Sequence, residues 1–208
     1  MGGGVLTMAY LASGILFILS LGGLSQHETA RKGNIYGVLG LTIAIIATVI
    51  RTDMGAGIGL LAVTLTIGVV IGGVLAARVE MTNMPQLVAI LHSFVGLAAV
   101  LVGVASYLGT HGQLTGVEKT IHEVEVFLGV FIGGLTFTGS VLAFAKLQGL
   151  IGSKPLLLPG RHFINIGMVL VSIYFGYLFI QAGDTQTAMQ MLLAMTAVSF
   201  VFGAHLVW

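Results

Sequence analysis

The sequence has no cysteine, and charge is scarce: eight Lys and Arg and seven Asp and Glu make up 7% of 208 residues. Without cysteine there are no disulfides, no thiol nucleophile and no Cys-ligated metal or iron–sulfur cluster. A soluble domain carries about 25% charged residues, so this chain has too little to solvate a globular surface. The net charge of +1 leaves no basic footprint for a nucleic acid. Three prolines interrupt little. The first 25 residues are apolar but have no basic stretch before them, so they read as a retained span and not as a cleaved signal peptide. Leu6 stands where a myristoylation signal needs Ser or Thr.

What remains is apolar sequence, with a mean hydropathy of +1.08. The expected fold class is all-α: a polytopic transmembrane helix bundle of about seven spans, forming a single transmembrane domain over residues 1–208. The spans run at about Thr7–Leu24, Ile35–Ile50, Gly55–Ala77, Pro85–Leu108, Ile121–Ala145, Phe163–Gln181 and Ala188–Val207. Arg51, Thr52 and Asp53 make a tight turn, and the proline-bearing KLQGLIGSKPLLLPGRH stretch suits a non-helical connection. With seven spans, Arg31, Lys32, Arg78, Lys146, Lys154 and Arg161 fall on one side, and Arg51 and Lys119 on the other. Basic loops stay in the cytoplasm, so the N-terminus is expected outside.

Glycine is abundant, with 31 residues. Gly55/Gly59, Gly68/Gly72 and Gly129/Gly133 each have the four-residue spacing that lets helix backbones approach. Gly55-Ala-Gly57-Ile-Gly59 is not a dinucleotide-binding fingerprint, and no βαβ pattern surrounds it.

The fourth span organises the chain. Met84–Tyr107 is almost wholly apolar, its only titratable group before the terminal tyrosine is His92, beside Ser93, and at about 1.5 Å per residue it is long enough to cross a bilayer. His92 lies about 10 Å from the Pro85 end. A histidine can take and return a proton near neutral pH, and an ionisable group at that depth is a functional-site hypothesis by default. The bland reading is a histidine that ties two helices together. On the fifth span, Glu123 and Glu125 point about 200° apart, and His122 and Glu125 are close enough to touch. Thr136, Thr138 and Ser140 add hydroxyls, with Ser140 about 9 Å from the Lys146 end, close to the depth of His92. Such hydroxyls often bond only their own helix. An acid at the mouth, a histidine further in and hydroxyls at its level are the components of a proton path. Asn165, Gln190 and His205 read as interfacial, and His27, His111 and His162 belong to loops or span ends. His92 has no obvious buried histidine partner, which counts against haem.

The stretches RVEMTNMPQLVAILHSFVGLAAVLVG, IHEVEVFLGVFIGGLTFTGSVLAFAKL and SKPLLLPGRH closely resemble the membrane part of the beta subunit of proton-translocating NAD(P) transhydrogenase, over about residues 34–181. The resemblance implies a translocase that couples proton passage across the bacterial cytoplasmic (inner) membrane to hydride transfer between NAD(H) and NADP(H). It makes His92 the proton-channel histidine and places Ser140 and Glu125 on the same path. It implies no metal site and no cofactor bound by this chain. NAD(H) and NADP(H) sit in soluble partner domains, beside the alpha subunit's membrane helices, in a dimeric assembly. The family has further spans and an NADP(H) domain after the part matched here, so this chain alone is not expected to catalyse hydride transfer. The rival readings are a secondary transporter or ion-channel fragment using His92 as its proton or substrate site, and a non-catalytic scaffold subunit.

Overall fold

The computed structural model describes residues 3–51, 57–110, 113–154 and 159–208. The expected turn at Thr52 and Asp53, Gly55 of one glycine pair, His111 and the PLLL of the prolyl loop lie outside them. Seven long helices are present, and no strand among the described residues: α1 (Gly3–Leu24), α2 (Ala30–Arg51), α3 (Gly57–Arg78), α4 (Met84–Thr110), α5 (Gly116–Leu147), α6 (Arg161–Gln181) and α7 (Thr185–Val207). A 3₁₀ turn, Met81–Asn83, leads into α4. All seven are long and apolar enough to cross a membrane, as a bilayer requires of a chain that must satisfy its backbone internally. The protein is therefore a multi-pass membrane protein of the expected fold class. Several helices start earlier than the apolar runs. The first turns of α5 include Glu118 and Lys119, polar residues that a hydropathy reading leaves in the loop.

The chain forms two compact units, Met1–Ala77 and Arg78–Trp208. In the first, α1 and α2 pack along a seam of small residues. Ser13 donates to the Gly40 carbonyl at 2.7 Å. Gly23 and Gly33 touch so closely that a methyl group on Gly23 would lie 2.6 Å from the Gly33 Cα. The helix α3 buries none of its residues. Gly68 and Gly72, expected to form a packing face, have open space around them. Their spacing permits close approach but supplies no partner.

In the second unit, α4 packs on α5, α5 on α7, and α7 on α6. The core joins Val100 and Tyr107 of α4, Val126 and Val130 of α5, Phe179 of α6, and Ala188, Leu192 and Met195 of α7. The Tyr107 and Phe179 rings meet at 5.0 Å, tilted by 59°. Lipid tails are as apolar as these side chains, so dispersion contacts and interhelical hydrogen bonds hold the unit together more than hydrophobic transfer does. Thr138 Oγ1 crosses from α5 to donate to the Phe200 carbonyl at 2.7 Å. Lys146 donates to the carbonyls of Val207 and Trp208, at 2.7 and 2.9 Å, and so satisfies acceptors left open at the end of α7.

Candidate functional site

The α4/α5 pair sets the geometry. Gly96 is pressed against α5: a Cβ there would lie 2.6 Å from the Phe137 nitrogen and 2.7 Å from the Gly133 carbonyl oxygen. Gly133 meets α4 in return, with the Gly96 carbonyl oxygen 2.7 Å from where its Cβ would be. Gly129, the other half of the expected pair, has open space around it. The contact thus joins glycines on facing helices, with Thr136 also at the crossing. The helices run antiparallel, so one turn back from Gly96 on α4 and one turn on from Thr136 on α5 reach the same level. Those positions are His92 and Ser140. Each sits about 40° around its helix from the contact residue, on a flank of the seam.

His92 is exposed, while its neighbour Ser93 is buried against α5. Ser93 Oγ donates to the Ile90 carbonyl at 2.7 Å. His92 Nδ1 lies 3.3 Å from the Val88 carbonyl oxygen. That oxygen can only accept, so the neutral ring carries its proton on Nδ1, and Nε2 keeps a lone pair. The arrangement presents a proton acceptor on an open face of α4. Ser140 is half-buried. Among the described residues, no hydrogen bond or ion pair joins His92, Ser140 and Glu125 to one another.

A second polar cluster lies where α4 ends and α5 begins. Glu123 is buried, only 3% exposed, and its Oε1 is 3.5 Å from the Lys119 ammonium. Glu125 is exposed. The two carboxylates diverge as the helix period requires, and the inward one is Glu123. Glu123 and Asp184 both act electrostatically on Tyr107, which is buried on α4. His122 Nε2 is 2.8 Å from Thr110 Oγ1. The threonine's own proton goes to the Ser106 carbonyl at 2.8 Å, so the imidazole N–H donates to it. His122 therefore bridges to α4. Spacing along α5 lets His122 touch Glu125, but a pattern along one helix does not show what the neighbouring helix offers.

Gln190, Asn165 and His205 lie toward helix ends. Gln190 is exposed, and Asn165 and His205 are half-buried, near the start of α6 and the end of α7. The Asn165 Oδ1 is shut off from solvent and has no hydrogen-bond partner among the described residues, a feature that hydropathy does not reveal.

A family model described as NAD(P) transhydrogenase beta subunit matches residues 6–208. The chain belongs to the NAD(P) transhydrogenase beta-subunit family. Two relatives named NAD(P) transhydrogenase subunit beta, both from Rhodospirillum rubrum, are each 47% identical over 161 residues. That match covers 76% of this chain and 34% of theirs, so the chain spans about a third of the length of the curated relatives it matches. Nearly all the transhydrogenase-family match falls on the two helical units described above. His92, Ser140, Glu123 and Glu125 all lie inside it.

Proposed function

We propose that this chain is proton-translocating membrane machinery of an NAD(P) transhydrogenase. In this reading it couples proton passage to hydride transfer between NAD(H) and NADP(H), both held by soluble partner domains. The observation that carries the proposal is the antiparallel register of α4 and α5, which sets His92 level with Ser140 beside the Gly96–Gly133 crossing. Family membership supports the coupled reaction. His92 Nε2 takes a proton and gives it up again, while the Nδ1–H bond to Val88 holds the ring. Ser140 is the hydroxyl that relays the proton at that level, and Glu125 gathers protons at the mouth. A proton crossing the full field gains about 2.3 kcal/mol per 100 mV, a useful bias on a hydride exchange between chemically similar nicotinamides. The assembly is a dimer in the bacterial inner membrane, with the alpha subunit's membrane helices alongside. The N-terminus faces outside, and the NADP(H)-binding and NAD(H)-binding domains dock on the cytoplasmic face.

The test is His92→Ala in the complete complex, sealed in vesicles. Proton uptake should fall by about a hundredfold, the scale of a lost general acid–base group, while both soluble domains still bind nucleotide. Uptake at the wild-type rate would reduce His92 to a packing residue.

A further inference from the structure

His122 is half-buried where α4 ends and α5 begins. Its Nε2–H donates to Thr110 Oγ1 at 2.8 Å, because the threonine proton is already given to the Ser106 carbonyl. The neutral ring therefore keeps its lone pair on Nδ1. The bond to α4 fixes this tautomer, as the Val88 carbonyl fixes that of His92 with the two nitrogens exchanged.

At about 100° per residue, Glu118, His122, Glu125, Gly129, Thr136 and Ser140 all lie within about 40° of one line down α5. Glu118 and Glu125 are exposed, four residues before and three after His122, the spacings at which helical side chains meet. The other charges at this end are engaged elsewhere. Lys119 pairs with the buried Glu123 at 3.5 Å, and Glu123 and Asp184 act on Tyr107 of α4. His122 is thus left on a face with a carboxylate on either side. Further down, the line carries Gly129, where an added methyl group would touch nothing within 4 Å, and then the exposed Ile132. The half-buried Thr136 and Ser140 bring it to the level of His92.

We propose that His122 is a second proton-carrying imidazole, which takes a proton at Nδ1 and passes it to Glu125 at the head of a path down this face of α5. The inference rests on the proton-translocation reading above. An unprotonated Nδ1 and a carboxylate oxygen are both acceptors, so the two have no hydrogen bond to make until a proton arrives. A proton from water at the mouth bonds the Nδ1 lone pair, and the new N–H donates to a Glu125 oxygen. Transfer breaks that N–H bond, leaves a carboxylic acid on Glu125 and restores the neutral ring. The Nε2–H stays on Thr110 throughout and holds the ring in place. Glu118, on the other side, adds negative potential that draws protons toward the imidazole.

The experiment uses the complete complex in sealed vesicles and reads proton uptake and the melting midpoint. His122→Gln offers an amide N–H to Thr110 but has no group that takes a proton near neutral pH. It should keep the melting midpoint and slow proton uptake about a hundredfold. Because the two groups act in series, His122→Gln/Glu125→Gln should be no slower than the slower single variant. Gly129→Leu, whose added side chain enters open space in this chain, should also slow uptake, and it gives an independent reading should His122→Gln weaken the fold. Uptake at the wild-type rate in either His122→Gln or Gly129→Leu would overturn the proposal. So would losses that multiply in the double variant, because the two residues would then act separately. His92→Ala, measured in parallel, separates the two readings. Slow uptake there beside normal uptake in His122→Gln sinks only the role of His122, whereas normal uptake in His92→Ala removes the proton-translocation reading itself.

Discussion

Gly96 and Gly68 put the same residue into the middle of two apolar helices and meet opposite surroundings. A methyl group on Gly96 strikes the α5 backbone, whereas one on Gly68 enters open space. Gly96→Ala should destabilise by about 1–3 kcal/mol, the usual cost of overpacking. Gly68→Ala should be neutral or gain up to about 1 kcal/mol from helix propensity. Denaturant titration in mixed micelles checks both, and a loss at Gly68 matching that at Gly96 would contradict the packing described. Glu125 is exposed and makes no hydrogen bond or ion pair among the described residues, so Glu125→Gln should change stability by less than about 0.5 kcal/mol while slowing proton uptake in vesicles. A normal uptake rate would remove Glu125 from the path. Asp184 lies between the spans and caps α7. The Thr187 backbone N–H, bonded to its carboxylate at 2.8 Å, holds its pKa below the ordinary 3.8. A carboxylate with a lowered folded pKa stabilises the fold above its unfolded pKa, and that contribution fades as pH falls through the folded value. Melting midpoints should therefore decline on acidification below about pH 4, less so in Asp184→Asn. Because Asp184 is fully exposed, solvent screening keeps the difference small.

At the scale of elements, the α5–α7 contact turns on Thr138. Its hydroxyl reaches the Gly134 carbonyl of its own helix at 3.3 Å and the Phe200 carbonyl of α7 at 2.7 Å. Thr66, by contrast, bonds only Ala62, on its own helix, among the described residues. Thr138→Val should cost about 0.6 kcal/mol, the average for an interhelical hydrogen bond in a membrane, and Thr66→Val close to nothing. Equal costs would show that the bond to α7 is immaterial. The same comparison marks what could be read in advance. All seven helices were legible, because a bilayer demands long apolar runs and the sequence supplies them without ambiguity. The level of His92 and Ser140 was also legible, since depth follows from rise per residue. Faces were not. The spacing of Gly129 and Gly133 describes one helix, whereas close approach needs Gly96 opposite. The divergence of Glu123 and Glu125 follows from the helical period, but only a packed α4 decides which of them turns inward. His122 and Thr110 are joined across a connection that no pattern along a single helix can span.

At the scale of the whole molecule, the distribution of basic residues fixes one more expectation. If seven helices cross in turn, the ends carrying Arg31, Lys32, Arg78, Lys146, Lys154 and Arg161 share one side, and Arg51 and Lys119 take the other. Retaining positive charge in the cytoplasm puts the larger group inside. Under the proposed function, the soluble domains that exchange hydride would meet this same face so that proton passage could bias their reaction. A cytoplasm-dependent reporter inserted after Trp208 should therefore be active, and the same reporter placed at Gly183, between α6 and α7, should be silent. The opposite pair of results would turn the bundle over. His92 would then lie nearer the outer surface than the inner one, and the proposed coupling of its protonation to an NADP(H) domain docked in the cytoplasm would lose its geometry. Activity at both positions would mean that α7 does not cross, which would contradict the alternation of seven crossing helices on which the charge count rests.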